Sequence, residues 1–244
     1  MASSRRFPGR VIFDHLHKTA GMAVSAWLPS ELGFGCVKAN IMGKHQELIR
    51  RFGGEYSVIA AHVGFYGEGF DLCYNYVTCF RHPVDRAISG IFYNLTNYGD
   101  QDIIEARAGI RTFLQSEGDQ SGEYVLSNGM TEHLCSIHGV FPADPDERLE
   151  HALSVVDEYT LWGFYERLPE FIGDFAAFLE VPAPPQIDPA NTTLRRPKVA
   201  DIQPKLRART EEMNALDIAL YERLQARHDA ARQRWQRPAV AVSK

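Results

Sequence analysis

The chain has 244 residues, 45% of them hydrophobic, and a formal net charge of -5. That length can bury one substantial core and fits a single domain over residues 1–244. Mild acidity excludes a general nucleic-acid binder, which carries a strong basic excess. No apolar run reaches about 18 residues, so no membrane-spanning helix is expected. MASSRRFPGR has charge but no apolar stretch behind it, and does not read as a secretory signal. Cys36, Cys73, Cys79 and Cys135 show neither C-x-x-C nor zinc spacing, and are expected to be buried reduced thiols of a cytoplasmic protein.

In chain order, RVIFDHL is a short apolar strand and GMAVSAWLPSEL the helix after it. KHQELIRRFG predicts a helix closed by Gly53 and Gly54. EYSVIAAHVGF is the next buried strand, with His62 near its carboxyl end, and YNYVTCFRHP a further one that stops at His82-Pro83. Proline suits a first helical turn, so a helix starts at Pro83. QDIIEARAGIRTFLQSEG, YVLSNGMTEHLCSIHG and DPDERLEHALSVVDEY space their apolar residues as helices do. YTLWGFYERL restores a strand and LPEFIGDFAAFLEV a helix. PAPPQIDPANTTLRRPK is an irregular proline-rich loop, and the residues from Gln203 to Gln236 predict one long closing helix. Strands alternating with helices give an α/β fold: a mainly parallel sheet flanked by helices on both faces, with a helical middle and a carboxyl-terminal helix.

Ligands of such sheets sit beyond the carboxyl ends of the strands. Lys18, His62 and Arg81 all fall at those ends. The stretch His15 to Gly21 joins a strand directly to a helix start, where free backbone N–H groups and the helix dipole favour an anion. An ordinary turn with a solvated lysine is the alternative. In TCFRHPVDRAISGIFY, Arg81 at a strand end and Ser89 two turns into a helix can grip one phosphate from two sides. The competing reading is an Arg81–Asp85 surface pair with Ser89 facing solvent. For His62 it is a core histidine bonded to a backbone carbonyl.

The two strand–turn–helix units together resemble the PAPS-dependent sulfotransferases, above all the carbohydrate type that includes heparan sulfate 2-O-sulfotransferase and bacterial relatives. That family's first motif, roughly H-x-P-K-T-G/A-G-T-S, stands here as His15-Leu16-His17-Lys18-Thr19-Ala20-Gly21-Met22-Ala23. Its second, R-x-P-x-x-R-x-x-S, is matched by Arg81, Pro83, Arg86 and Ser89. AAHVGF resembles the family strand that ends in a catalytic histidine. LSNGMTEHLCS is similar to an N-x-Q-T-x-x-L segment through Asn128, Thr131 and Leu134, and WGFYERLPEF and NTTLRRP are similar to later segments. The likeness runs from about Val11 to Tyr221. His17 replaces the family proline, and Met22-Ala23 replace a Thr-Ser pair, so two hydroxyls are missing.

The resemblance implies a P-loop-like sulfotransferase fold and PAPS as sulfuryl donor. It implies that His17, Lys18, Thr19, Ala20, Gly21, Met22 and Ala23 hold the 5′-phosphosulfate. Arg81 and Ser89 would hold the 3′-phosphate, with Arg195 and Arg196 in a loop near the nucleotide. The catalytic pair is then Lys18, against charge on the leaving oxygen, and His62, which takes the hydroxyl proton. The implied acceptor carries a hydroxyl: a glycan, a glycolipid precursor or a small metabolite.

No metal site is expected. His15 and His17 are taken to point apart, and His133 and His138 lie five residues apart, a poor spacing for one helical face. A P-loop kinase is disfavoured because its glycines precede the lysine and its strand end carries a carboxylate. A non-catalytic binder of nucleotide or glycan is the alternative. The rings of GFYGEGFDLCYNY are expected in the core, with a ring surface for a sugar as the lesser alternative.

Overall fold

The computed structural model describes residues 9–19, 21–96, 127–184 and 198–235. Strand β1 (Arg10–Asp14) has the exposure pattern of an interior strand, with only its first residue open. It lies at the centre of a five-stranded sheet of order β2-β3-β1-β4-β5, with β2 (Val37–Lys44), β3 (Val58–Gly64), β4 (Tyr74–Phe80) and β5 (Leu161–Phe164). Every pairing is parallel, with Asp14 beside Ala61 on one side and Thr78 on the other. The α/β fold expected from the alternation is therefore the one found. Parallel order collects the carboxyl ends of β1, β3 and β4 on one edge, side by side.

Side-chain alternation along β1 decides what covers each face. Val11 and Phe13 pack with Trp27 and Leu28 of α1 (Gly21–Leu32) and with Phe171 and Phe175 of α6 (Leu168–Phe178). Ile12 faces the other way, with Leu48 of α2 (His45–Phe52), Leu134 of α4 (Gly129–His138), Leu153 of α5 (Pro145–Val156) and Leu224 of α8 (Ala215–Trp235). Buried rings of this size contribute roughly 1.5–3 kcal/mol each. Val84, Ile88 and Ile91 of α3 (Pro83–Thr96) close a smaller cluster with Leu206 and Met213 of α7 (Pro204–Met213).

The structure departs from the sequence reading in three places. The edge strand β2 is a strand that the pattern does not announce. Among the described residues it pairs with β3 alone, carries an irregularity between Lys38 and Ile41, and leaves alternate residues open, so lysines and a glycine are tolerated. The single closing helix is two: Asn214 ends α7 with its amide on the Thr210 carbonyl and its Oδ1 on the Asn128 N–H. Cys36 and Cys73 are exposed rather than buried, because they sit in the turns that precede β2 and β4. The helix expected over 101–118 lies outside the described residues, as does most of the proline-rich loop.

Candidate active site

Beyond Asp14 the chain leaves β1 and turns through Leu16 to Thr19 toward the start of α1 at Gly21. Thr19 is buried and donates its hydroxyl to the Leu16 carbonyl at 2.9 Å, closing the turn on itself. Lys18 takes the left-handed conformation, φ 65°, which is unusual for a long side chain and places it at the apex. Gly21 is dictated by contact: a Cβ there would lie 1.7 Å from Cδ2 of His15. Ala23 is buried in α1 and Met22 is 37% exposed. Ala20, Arg195 and Arg196 lie outside the described residues.

Arg81 comes from the end of β4 and is buried. Its Nε donates to Asp85 Oδ2 at 2.7 Å, its Nη2 donates to the same oxygen, and its Nη1 reaches the Lys18 carbonyl at 2.9 Å. The guanidinium also stacks 4.1 Å from the Tyr165 ring centre. The Arg81–Asp85 pair is thus real, yet its arginine is buried, and that arginine clamps the Lys18 turn onto β4. A guanidinium has five N–H groups, and these bonds use three of them. Ser89 is buried in α3 rather than facing solvent.

His62 stands in β3, half-buried, with its ring between those of His15 and His17. Both ring centres lie 4.0 Å away, at interplanar angles of 25° and 8°. His15 and His17 therefore converge instead of pointing apart. The strand ends at Asp14, so strand alternation no longer governs them, and the turn folds both rings onto His62. Among the described residues no cluster fit to hold a metal is found.

His62 donates its Nδ1 proton to the His15 carbonyl at 2.5 Å, which leaves Nε2 as the basic nitrogen. Burial, reinforced by the neighbouring rings, pushes His15 down to about 2 and His17 down to about 4. Burial also holds His62 below the usual histidine value, against the pull of its carbonyl bond and of Asp14. All three imidazoles are neutral at pH 7, the form in which His62 can accept a proton.

The stack borders a cleft of about 350 Å³ above the ends of β1, β2 and β3, whose walls include Lys44, Tyr66, Arg86 and His133. Of the rings in Gly64–Tyr76, Phe65, Tyr74 and Tyr76 are core and Phe70 packs against it, whereas Tyr66 is 75% exposed at the cleft. His133, like Lys44 and Glu47, lines the cleft although sequence spacing did not single it out. It bonds Asp14, while His138 bonds Glu158 elsewhere. Asn128 and Thr131 serve a different purpose. Asn128 Oδ1 accepts from the N–H groups of Leu216 and Asp217, and Asp217 accepts from Met130 and Thr131, so α4 and α8 cap each other.

Among solved structures, the chain is similar to a mouse sulfotransferase, SULT7A1, complexed with PAP. The TM-score is 0.46 and the identity 12%, over 93% of this chain and 88% of that one, a degree of likeness that carries no activity with it. No protein-family model matches the chain, and no curated protein does.

Proposed function

We propose that the chain is a PAPS-dependent sulfotransferase that moves a sulfuryl group to a hydroxyl of a carbohydrate or other small acceptor. The carrying observation is the convergence, on adjacent strand ends, of the two nucleotide motifs and a histidine held with Nε2 as base. The donor set fits a phosphorylated nucleotide: a helix start at Gly21, Lys18 in the turn before it, buried Arg81 bonded to that turn, and Ser89 buried in α3. When bound, PAPS supplies an activated sulfuryl group whose leaving oxygen belongs to a stable phosphate.

Lys18 offsets charge that develops on that oxygen. Arg81 and Ser89 hold the 3′-phosphate, and Arg81 also fixes the turn that carries Lys18. His62 takes the acceptor's proton at Nε2, and the cleft walls position the acceptor. Met22 and Ala23 lack hydroxyls, which favours a second reading, a nucleotide binder without turnover. Calorimetry with adenosine 3′,5′-bisphosphate, together with turnover of labelled PAPS, separates the two. His62→Ala is expected to lower turnover per folded molecule by about 10²–10⁴ with the nucleotide still bound, and Lys18→Ala to weaken both. Binding with no turnover in the wild type would support the binder, and no binding at all would remove both readings.

A further inference from the structure

Asp14, His133 and Tyr159 form a buried polar cluster to which the roles above assign nothing. Alternation along β1 puts Asp14 on the face of Ile12, under α4, and its side chain is fully buried. Both of its side-chain bonds fall on one oxygen: His133 Nε2 and the Tyr159 hydroxyl reach Oδ2 at 2.8 and 2.5 Å. Oδ1 has no hydrogen-bond partner among the described residues. A bare oxygen on a carboxylate out of water costs on the order of 1–3 kcal/mol, so stability alone does not account for the arrangement.

The ring that Asp14 holds belongs to the cleft wall, beside His17 and His62. Facing a carboxylate, Nε2 of His133 is the donor of that bond, so in the neutral ring Nδ1 is the nitrogen with the lone pair. Nδ1 has no hydrogen-bond partner among the described residues.

We propose that His133 is a second proton-accepting residue of the cleft, with Asp14 as the positioning residue that fixes its tautomer. This rests on the sulfotransferase reading and deepens it. A proton arriving on His62 meets an imidazole on each face, at 4.0 Å, and the ring's Nδ1–H bonds a neutral carbonyl, with Asp14 acting on it only from beyond hydrogen-bond reach. A proton arriving on His133 Nδ1 makes an imidazolium backed by a carboxylate, which forms the stronger, charge-assisted bond. In the step, the hydroxyl's O–H bond breaks and its proton goes to Nδ1 when the acceptor is turned toward His133, in place of Nε2 of His62. The oxygen's electron pair forms the new bond to sulfur, and the pair of the broken S–O bond would leave on the donor's phosphate oxygen, whose charge Lys18 offsets. The imidazolium later returns it to water.

Two readouts on the full chain test this. In ¹⁵N-histidine NMR without nucleotide, His133 is expected as one Nε2–H tautomer, and as a mixture in Asp14→Asn. A mixture in the wild type overturns the proposal. The second readout is sulfuryl transfer from PAPS to water, methyl glucoside and p-nitrophenol. His133→Gln is expected to lower transfer to methyl glucoside by about 10²-fold or more, and to p-nitrophenol less, because that hydroxyl already gives up its proton readily. Affinity for adenosine 3′,5′-bisphosphate stays the same. Tyr159→Phe, which removes the other bond to Asp14 away from the cleft, lowers the melting temperature more than it lowers kcat. Unchanged transfer in His133→Gln, equal losses on both alcohols, or affinity falling in step with rate overturns the role of His133 alone. A wild type that transfers to none of the three overturns the sulfotransferase reading, and this role falls with it.

Discussion

Two aspartates of this protein, Asp14 and Asp217, are each fully buried, and their surroundings differ. Asp217 accepts from the Met130 and Thr131 N–H groups, the Thr131 hydroxyl and Nη2 of Arg86, at 2.7–3.2 Å, so both of its oxygens are engaged. Asp14 gathers a histidine and a tyrosine on one oxygen, and the other has no hydrogen-bond partner among the described residues. The first carboxylate ties three helices, α3, α4 and α8, and among its partners Arg86 and Met130 also line the cleft. The second holds a ring in the wall of the cleft. The contrast is one of satisfaction: Asp217 uses both oxygens to hold helices together, whereas Asp14 uses one to orient a ring.

Removing Asp217 is expected to have the largest effect on stability. Asp217→Ala leaves Arg86 buried without its carboxylate and strips the cap from α4, a loss of about 3–5 kcal/mol in denaturant unfolding. Asp14→Ala leaves only groups that can be neutral, and is expected to cost about 1–3 kcal/mol. Equal losses for the two variants would erase the distinction.

Acid comes next. His15 and His17 have folded values lowered to about 2 and about 4, from an ordinary 6.5. The unfolded chain therefore binds more protons below 6.5, and stability falls with decreasing pH. The His17 contribution is complete by about pH 4, and that of His15 continues below it. Each unit of pH in that window costs about 1.4 kcal/mol per histidine held neutral. Unfolding midpoints at pH 7.5 and 5 should show the loss, and His17→Asn should reduce it. An unchanged slope in that variant would mean that the stack is not held neutral.

The smallest effect on folding is expected at Tyr66, which is 75% exposed. Tyr66→Ala should change stability by no more than about 0.5 kcal/mol, while raising KM for a glycoside acceptor. A large loss of stability would make Tyr66 part of the architecture and not of the cleft.

The sequence carried much of this. Apolar runs and their breaks placed β1, β3, β4 and β5 and most helices within a few residues, because interior strands and amphipathic helices must show their periods. The half-exposed β2 escaped, since an edge strand obeys a weaker constraint. The break at Asn214 escaped too, because its cause is Asn128, far away in the chain. At the site, the types of residue at Lys18, His62 and Arg81 were legible from their places after apolar runs. Their partners were not: the Lys18 carbonyl on Arg81, His17 folded back onto His62, and Asp14 under His133 all join residues from different elements.

By itself, then, the sequence determined the alternation of strands and helices, and which residues leave the sheet at its carboxyl edge. Local sterics and period-two burial are written residue by residue. Only the tertiary structure decided which strand ends became neighbours, through the order β2-β3-β1-β4-β5. It alone decided that Asp14, one apolar-strand position among several, would meet a histidine 119 residues away. Alternation fixes the face a side chain takes, but its partner is set by what packs on that face, and that choice belongs to the whole chain.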